Sequence, residues 1–174
     1  IVLLDHPAPY VRGWAIQMLG EDQALGREAL AKFATLAEKD PSPVVRLYLA
    51  AALQRMPLAE RWPITQGLVA HAADASDHNL PKMIWFGVEP LVATDAPRAL
   101  ALAARSEIPL IAQFITRRAV AAKEIEAVAA ALAKRPHLPL LEGLRDGLTS
   151  LGRREVGAPA NWESAAAALT ATND

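Results

Sequence analysis

Cysteine is absent from the 174 residues, which excludes disulfides, thiol catalysis, cysteine zinc sites, iron–sulfur ligation and haem attachment through Cys-x-x-Cys-His. The compartment stays open, because an exported repeat protein can also lack cysteine. Aromatic residues are only 5%, and no segment shows the alternation and β-branched enrichment of a half-buried strand. Long apolar runs are missing too. Arg, Lys, Asp, Glu, Gln or Pro interrupts each one well before the roughly 20 residues of a membrane span, so no membrane insertion is expected. The balance of 18 Lys plus Arg against 19 Asp plus Glu leaves a net charge of -1, without the basic excess of a nucleic-acid binder. There is no initiator methionine and no signal-sequence pattern, and the opening from Ile1 to Pro7 reads as a chain cut from something longer.

What is present is a chain that is 52% hydrophobic and repetitive. The segments His6–Trp14 and Asp40–Tyr48 superpose at an offset of 34 residues, matching Pro, Pro, Val, Arg and an aromatic, with Leu19 later meeting Leu53. Weaker echoes begin at Leu80, Ile108 and Leu138. Aligned on Pro9, Pro43, Pro81, Pro109 and Pro139, the spacings are 34, 38, 28 and 30 residues. Proline suits a first helical turn, where its missing N–H has no intrahelical acceptor to serve. Each of these prolines therefore marks a helix start. Val11, Trp14, Ala15, Met18 and Leu19 fall on one helical face, as do Val45, Tyr48, Leu49, Ala52 and Leu53, and then Met83, Phe86, Gly87, Pro90 and Leu91. These are the expected core stripes. Pro90 predicts a kink or an early end, and the stripe narrows where Arg118 and Arg145 enter it. Ala- and Leu-rich helices are expected between the proline-started ones, at about 23–38, 59–73, 95–105, 123–134 and 161–171. The nine glycines are expected mostly at helix ends.

Asp40-Pro41-Ser42-Pro43-Val44-Val45-Arg46, followed by Leu47 and Leu53, resembles the second-helix signature of a HEAT repeat. In that family Asp and Arg side chains bridge neighbouring units in a ladder, so the resemblance assigns Arg12, Asp40 and Arg46 to structure. It also implies that residues 9–20 are a second helix. Their alternative use is as anion or partner contacts. Over more of the chain, Arg46–Arg55, Asp77–Leu91 and Ile108–Ile111 resemble the helical-repeat segment of large PVC-type membrane-bound dehydrogenases. Those exported proteins join a dehydrogenase-like β-propeller, HEAT repeats and a cytochrome c domain. This chain has neither the haem motif nor propeller strands. The resemblance therefore implies a periplasmic or exported connecting solenoid without chemistry of its own.

Catalytic constellations are lacking. No Gly-x-Ser-x-Gly elbow or glycine-rich phosphate loop occurs, and Glu124 and Glu126 are spaced to diverge on a helix. His71, Asp74, Asp77 and His78 have metal-ligand chemistry but no metal-site spacing. Asp77, His78 and Asn79 read as caps of the following helix, with a packed Trp85 sharing a face with Glu89; a polar docking pocket there is the alternative. Arg117-Arg118 and Arg153-Arg154 are short basic doublets. The expected fold is an all-α, right-handed α–α superhelix of about five helical pairs, one HEAT-like domain over 1–174 with units at about 1–38, 39–74, 75–105, 106–134 and 135–174. The expected role is a non-enzymatic scaffold that needs no cofactor and no metal. It would bind protein, not nucleic acid, on its concave face through Gln17, Gln54, Arg55, Lys82, Trp85, Glu89, Gln113, Arg117 and Asp146. A nucleic-acid-binding solenoid and a small metal-dependent hydrolase built on His71 to His78 are the alternatives.

Overall fold

The computed structural model describes residues 1–21, 25–152 and 156–171, and the described residues are all-helical, with no strand. Ten α-helices follow one another: α1 (Pro9–Glu21), α2 (Arg27–Lys39), α3 (Pro43–Leu53), α4 (Leu58–Leu68), α5 (Leu80–Thr94), α6 (Ala96–Ala103), α7 (Pro109–Ala121), α8 (Ile125–Lys134), α9 (Leu138–Ser150) and α10 (Trp162–Ala171). Short 3-10 helices cover Val2–Asp5 and Ala72–Ser76. Pro9, Pro43 and Pro109 are the first residues of their helices, and Pro81 and Pro139 the second. Proline at these places costs no hydrogen bond.

One correction concerns a helix end, and one of the two outcomes expected at Pro90, an early end, is excluded. The helix expected over 59–73 stops at Leu68, and the chain then forms the 3-10 turn at Ala72–Ser76. Pro90 does not end α5, which continues to Thr94, and Pro63 likewise lies inside α4.

The chain divides into two compact units, residues 1–90 and 91–174. In the first, α1 packs on α3 and α2 packs on α4. Ile16, Phe33, Val45, Leu49, Leu53, Ile64 and Leu68 are all essentially removed from water. In the second, α7 packs on α9, α8 on α10, and α6 against both α7 and α8. Its core includes Leu100, Ile111, Ile115, Val128, Leu132 and Leu140. Thus α1, α2, α7 and α8 each find their main partner two helices along, while α6 packs mainly on its neighbour α7.

The core face of α1 differs from the expected one. Gly13, Ala15, Ile16 and Gly20 are buried, whereas Trp14 and Met18 are 53% and 65% exposed. On α5, Gly87 and Leu91 of the expected stripe are buried, but Phe86 is exposed, and Leu80, Ile84 and Val88 join the core. The reason is close helix contact through small residues. A Cβ on Gly13 would come within 2.5 Å of the Tyr48 ring, and one on Gly87 within 2.7 Å of the Leu53 side chain. Gly13, Gly87, Gly143 and Gly147 lie within α1, α5 and α9, whereas Gly20 and Gly67 are the penultimate residues of α1 and α4 and Gly26 precedes α2, at helix ends as expected.

An arginine–aspartate ladder fixes the first unit. Arg12 donates through Nε and Nη2 to the two carboxylate oxygens of Asp40 at 2.7 and 2.9 Å, and through Nη1 to the carbonyls of His6 and Pro7. Thirty-four residues on, Arg46 makes the same fork with Asp74, at 2.6 Å for both bonds, and its Nη1 donates to the Asp40 carbonyl at 2.8 Å. Asp40 therefore joins consecutive rungs: its carboxylate receives Arg12 and its carbonyl receives Arg46. Asp40 Oδ1 also accepts the Ser42 N–H, capping the turn into α3. Paired, bidentate and hydrogen-bonded charges of this kind are the form in which ions tolerate burial.

A candidate interaction groove

Trp14, Tyr48 and Phe86 each stand five residues after the proline that opens α1, α3 and α5. This register position points out of the core: Trp14 and Phe86 are more than half exposed, and Tyr48 is half-buried with its ring against Gly13. Beside Tyr48 lies a half-open groove of about 530 Å³, formed wholly within residues 1–90. Its apolar lining is Leu47, Tyr48, Ala51 and Ala52 of α3 with Met83 and Phe86 of α5. Gln17, Arg55, Asn79 and Lys82 supply the polar lining, which contains no carboxylate. Arg55 and Lys82 are exposed, and neither forms an ion pair among the described residues.

The start of α5 is positioned by Asp77, whose Oδ1 accepts the N–H groups of Asn79 and Leu80 at 2.8 Å each. These two donors, the Leu80 N–H first, hold the Asp77 carboxyl below the ordinary aspartate range. Arg61 of α4 is buried and donates to three carbonyls, those of Met56, Gly87 and Gln54. Burial pulls its pKa below the ordinary arginine value. Nothing in the local sequence around Arg61 marked this clamp. The one hint is Pro90, whose missing N–H removes the helical donor to the Phe86 carbonyl, one residue before the Gly87 carbonyl that Arg61 reaches.

Of the predicted contact residues, the fold brings Gln17, Arg55 and Lys82 to the groove. Gln54 is exposed outside it, and its carbonyl serves Arg61. Trp85 and Glu89 are half-buried on α5, also outside the lining. In the second unit, Gln113 of α7 donates to Asp146 of α9 at 2.7 Å, and Arg145 forks onto the other oxygen of the same carboxylate. The Gln113 donor, followed by Arg145, holds Asp146 below its ordinary range. Arg117 places its guanidinium 5.1 Å from the centre of the Phe114 ring. Arg153 and Arg154 lie outside the described residues.

The residues from His71 to His78 are not gathered into one site. Asp74 is committed to Arg46, the His71 Nε2 meets the Ala37 carbonyl at 2.7 Å, and Asp77 caps α5. Among the described residues, no three His, Asp or Glu side chains are grouped to hold a metal ion. Asp74 was legible as a ladder residue, because the 34-residue offset relating Arg12 to Arg46 also relates Asp40 to Asp74. Alignment on Pro81 hid it, since four extra residues follow Asp74 before that proline. Protein-family models, curated proteins and solved structures give no match to this chain. Its function is therefore read from the site itself. The groove offers apolar surface, two amides and two cations, a lining able to hold a ligand that carries both apolar bulk and charge.

Proposed function

We propose that this chain is a non-catalytic, HEAT-like scaffold and protein-interaction module whose partner docks on the side formed by α1, α3 and α5. The proposed arrangement is a right-handed superhelix of stacked helical pairs, with these proline-started helices on the binding face. In the setting implied by the family resemblance, the module links a dehydrogenase-like propeller to a cytochrome c domain of a larger exported redox protein. The observation that carries this reading is the set of Trp14, Tyr48 and Phe86 at one register position, exposed or half-buried, with Tyr48 and Phe86 lining a groove that also holds Arg55 and Lys82, which form no ion pair among the described residues. Aromatic and methionine side chains exposed next to charged groups are characteristic of binding surfaces.

Supporting the same reading, Arg12, Arg46 and Arg61 are consumed by internal acceptors and are lost to any phosphate-binding surface. The hydrolase alternative loses the ligand set it needs, because Asp74 and His71 have structural partners. The test is titration calorimetry of this chain against separately produced propeller and cytochrome c domains of its parent protein, alongside a duplex DNA control. Saturable binding to a protein domain, weakened by Trp14→Ser and Phe86→Ser, is expected. Salt-sensitive DNA retardation with no protein binding would reverse the assignment.

A further inference from the structure

Resting on that reading, we propose that the groove between α3 and α5 binds a short acidic peptide segment, seating a bulky apolar side chain against Tyr48, Met83 and Phe86 and placing its carboxylates against Arg55 and Lys82. The volume of about 530 Å³ is within the range of sites that enclose a specific ligand, roughly 300–1,000 Å³. The apolar lining comes from two helices, while the polar groups stand among them as separate points from three parts of the chain. That combination selects a ligand carrying both apolar bulk and fixed charges. Met83 lets the wall adapt to different apolar anchors, while Tyr48, braced on Gly13, is its rigid part.

Charge decides the sign of the partner. Both ionic groups in the lining are cations, and neither is neutralised by a carboxylate among the described residues. An acidic segment therefore gains two ion pairs on docking without breaking any. A basic segment meets repulsion, and a neutral one leaves both charges without partners. Two cations around an apolar floor are too few for a nucleic-acid backbone, which needs a continuous basic track.

The experiment uses the full chain and fluorescein-labelled peptides in which glutamates flank a Phe-Leu core, titrated by fluorescence anisotropy. Control peptides carry glutamine or lysine in place of glutamate, and dodecanoate serves as a competing small amphiphile. The glutamate peptide is expected to bind about tenfold or more tightly than the glutamine peptide, equivalent to about 1.4 kcal/mol, and to weaken as salt rises. Arg55→Glu, Lys82→Glu and Phe86→Ser should each cost about tenfold in affinity with the melting temperature unchanged. The double charge reversal should come to favour the lysine peptide, an outcome that mere unfolding cannot produce. Equal binding of glutamate and glutamine peptides, or no binding by any peptide, overturns the inference. Glutamate-peptide binding indifferent to all three substitutions also overturns it, yet leaves the interaction module standing with its site elsewhere. Dodecanoate binding with no peptide binding overturns both, making the groove a small-molecule site.

Discussion

Arg46 and Asp74 lie 28 residues apart in the chain and form a buried, two-bonded ion pair, with side chains 5% and 3% exposed. The pair ties α3 to the 3-10 turn that follows α4, and the third donor of Arg46 ties both to the turn before α3. Removing one partner strands the other charge away from water. Arg46→Ala and Asp74→Ala should each destabilise the chain by about 3–5 kcal/mol, measured by urea unfolding. Arg46→Lys should recover little, because an ammonium cannot reproduce the fork. In a double-mutant cycle the two losses should be strongly non-additive, and simple additivity would show that the pair is not an energetic unit.

Arg61 gives a second measure of the same principle with no carboxylate involved. Arg61→Met keeps much of the apolar stem but leaves the carbonyls of Gln54, Met56 and Gly87 short of a donor. A loss of about 1–3 kcal/mol is expected in denaturant unfolding. No loss would mean that the three carbonyls are satisfied without the guanidinium.

The contact of α7 with α9 depends on two glycines one helical turn apart. A Cβ on Gly143 would collide with the Gln113 carbonyl and come within 2.7 Å of the Thr116 Cβ, and one on Gly147 within 2.6 Å of Val120. Alanine is the better helix former, so an isolated α9 would be stabilised by Gly143→Ala. In the folded protein the clash wins, and the substitution should cost about 1–3 kcal/mol, read as a lower melting temperature. An increase in melting temperature would show that the helices are not in this close contact.

Asp146 supplies a pH-dependent term. Its folded pKa is depressed by the Gln113 and Arg145 donors, so its contribution to stability is present above the ordinary aspartate range and is lost as pH falls through the depressed value. The gap in melting temperature between the native chain and Asp146→Asn should therefore narrow steadily below the ordinary range. A gap independent of pH would remove Asp146 from this role.

Trp14 and Leu49 test which face is core. Trp14 is 53% exposed and Leu49 is fully buried. Leu49→Ala should cost about 2–5 kcal/mol, and Trp14→Ser should stay within about 0.5 kcal/mol. A large loss on Trp14→Ser would restore the tryptophan to the core.

Helix starts were legible because proline constrains backbone geometry locally, wherever the helix later packs. Helix faces were less so. On α1, the apolar set containing Trp14 and Met18 has the helical spacing that recurs after Pro43 and Pro81, and that spacing does not tell it from the true buried set. Ala15 of that set is buried, but burial otherwise went to Gly13, Ile16 and Gly20, since small residues let α3 approach closely. Likewise Gln17, Arg55 and Lys82 were visible as polar positions on proline-started helices, but their meeting around one groove depends on how α1, α3 and α5 are arranged in space. The Arg61 clamp joins carbonyls from separate elements and had no periodic pattern to reveal it.

By itself, the sequence determined an all-helical chain, the first turn of each proline-started helix and the 34-residue relation between Arg12 and Arg46. These follow from backbone constraint and residue order, which act over a few residues or repeat along the chain. Tertiary structure alone decided that Arg61 is clamped among three carbonyls, that Trp14 and Phe86 face outward, and which side chains share the groove. Those outcomes depend on how closely neighbouring helices can approach and which buried charges find partners, and such free energies exist only once distant segments are in contact.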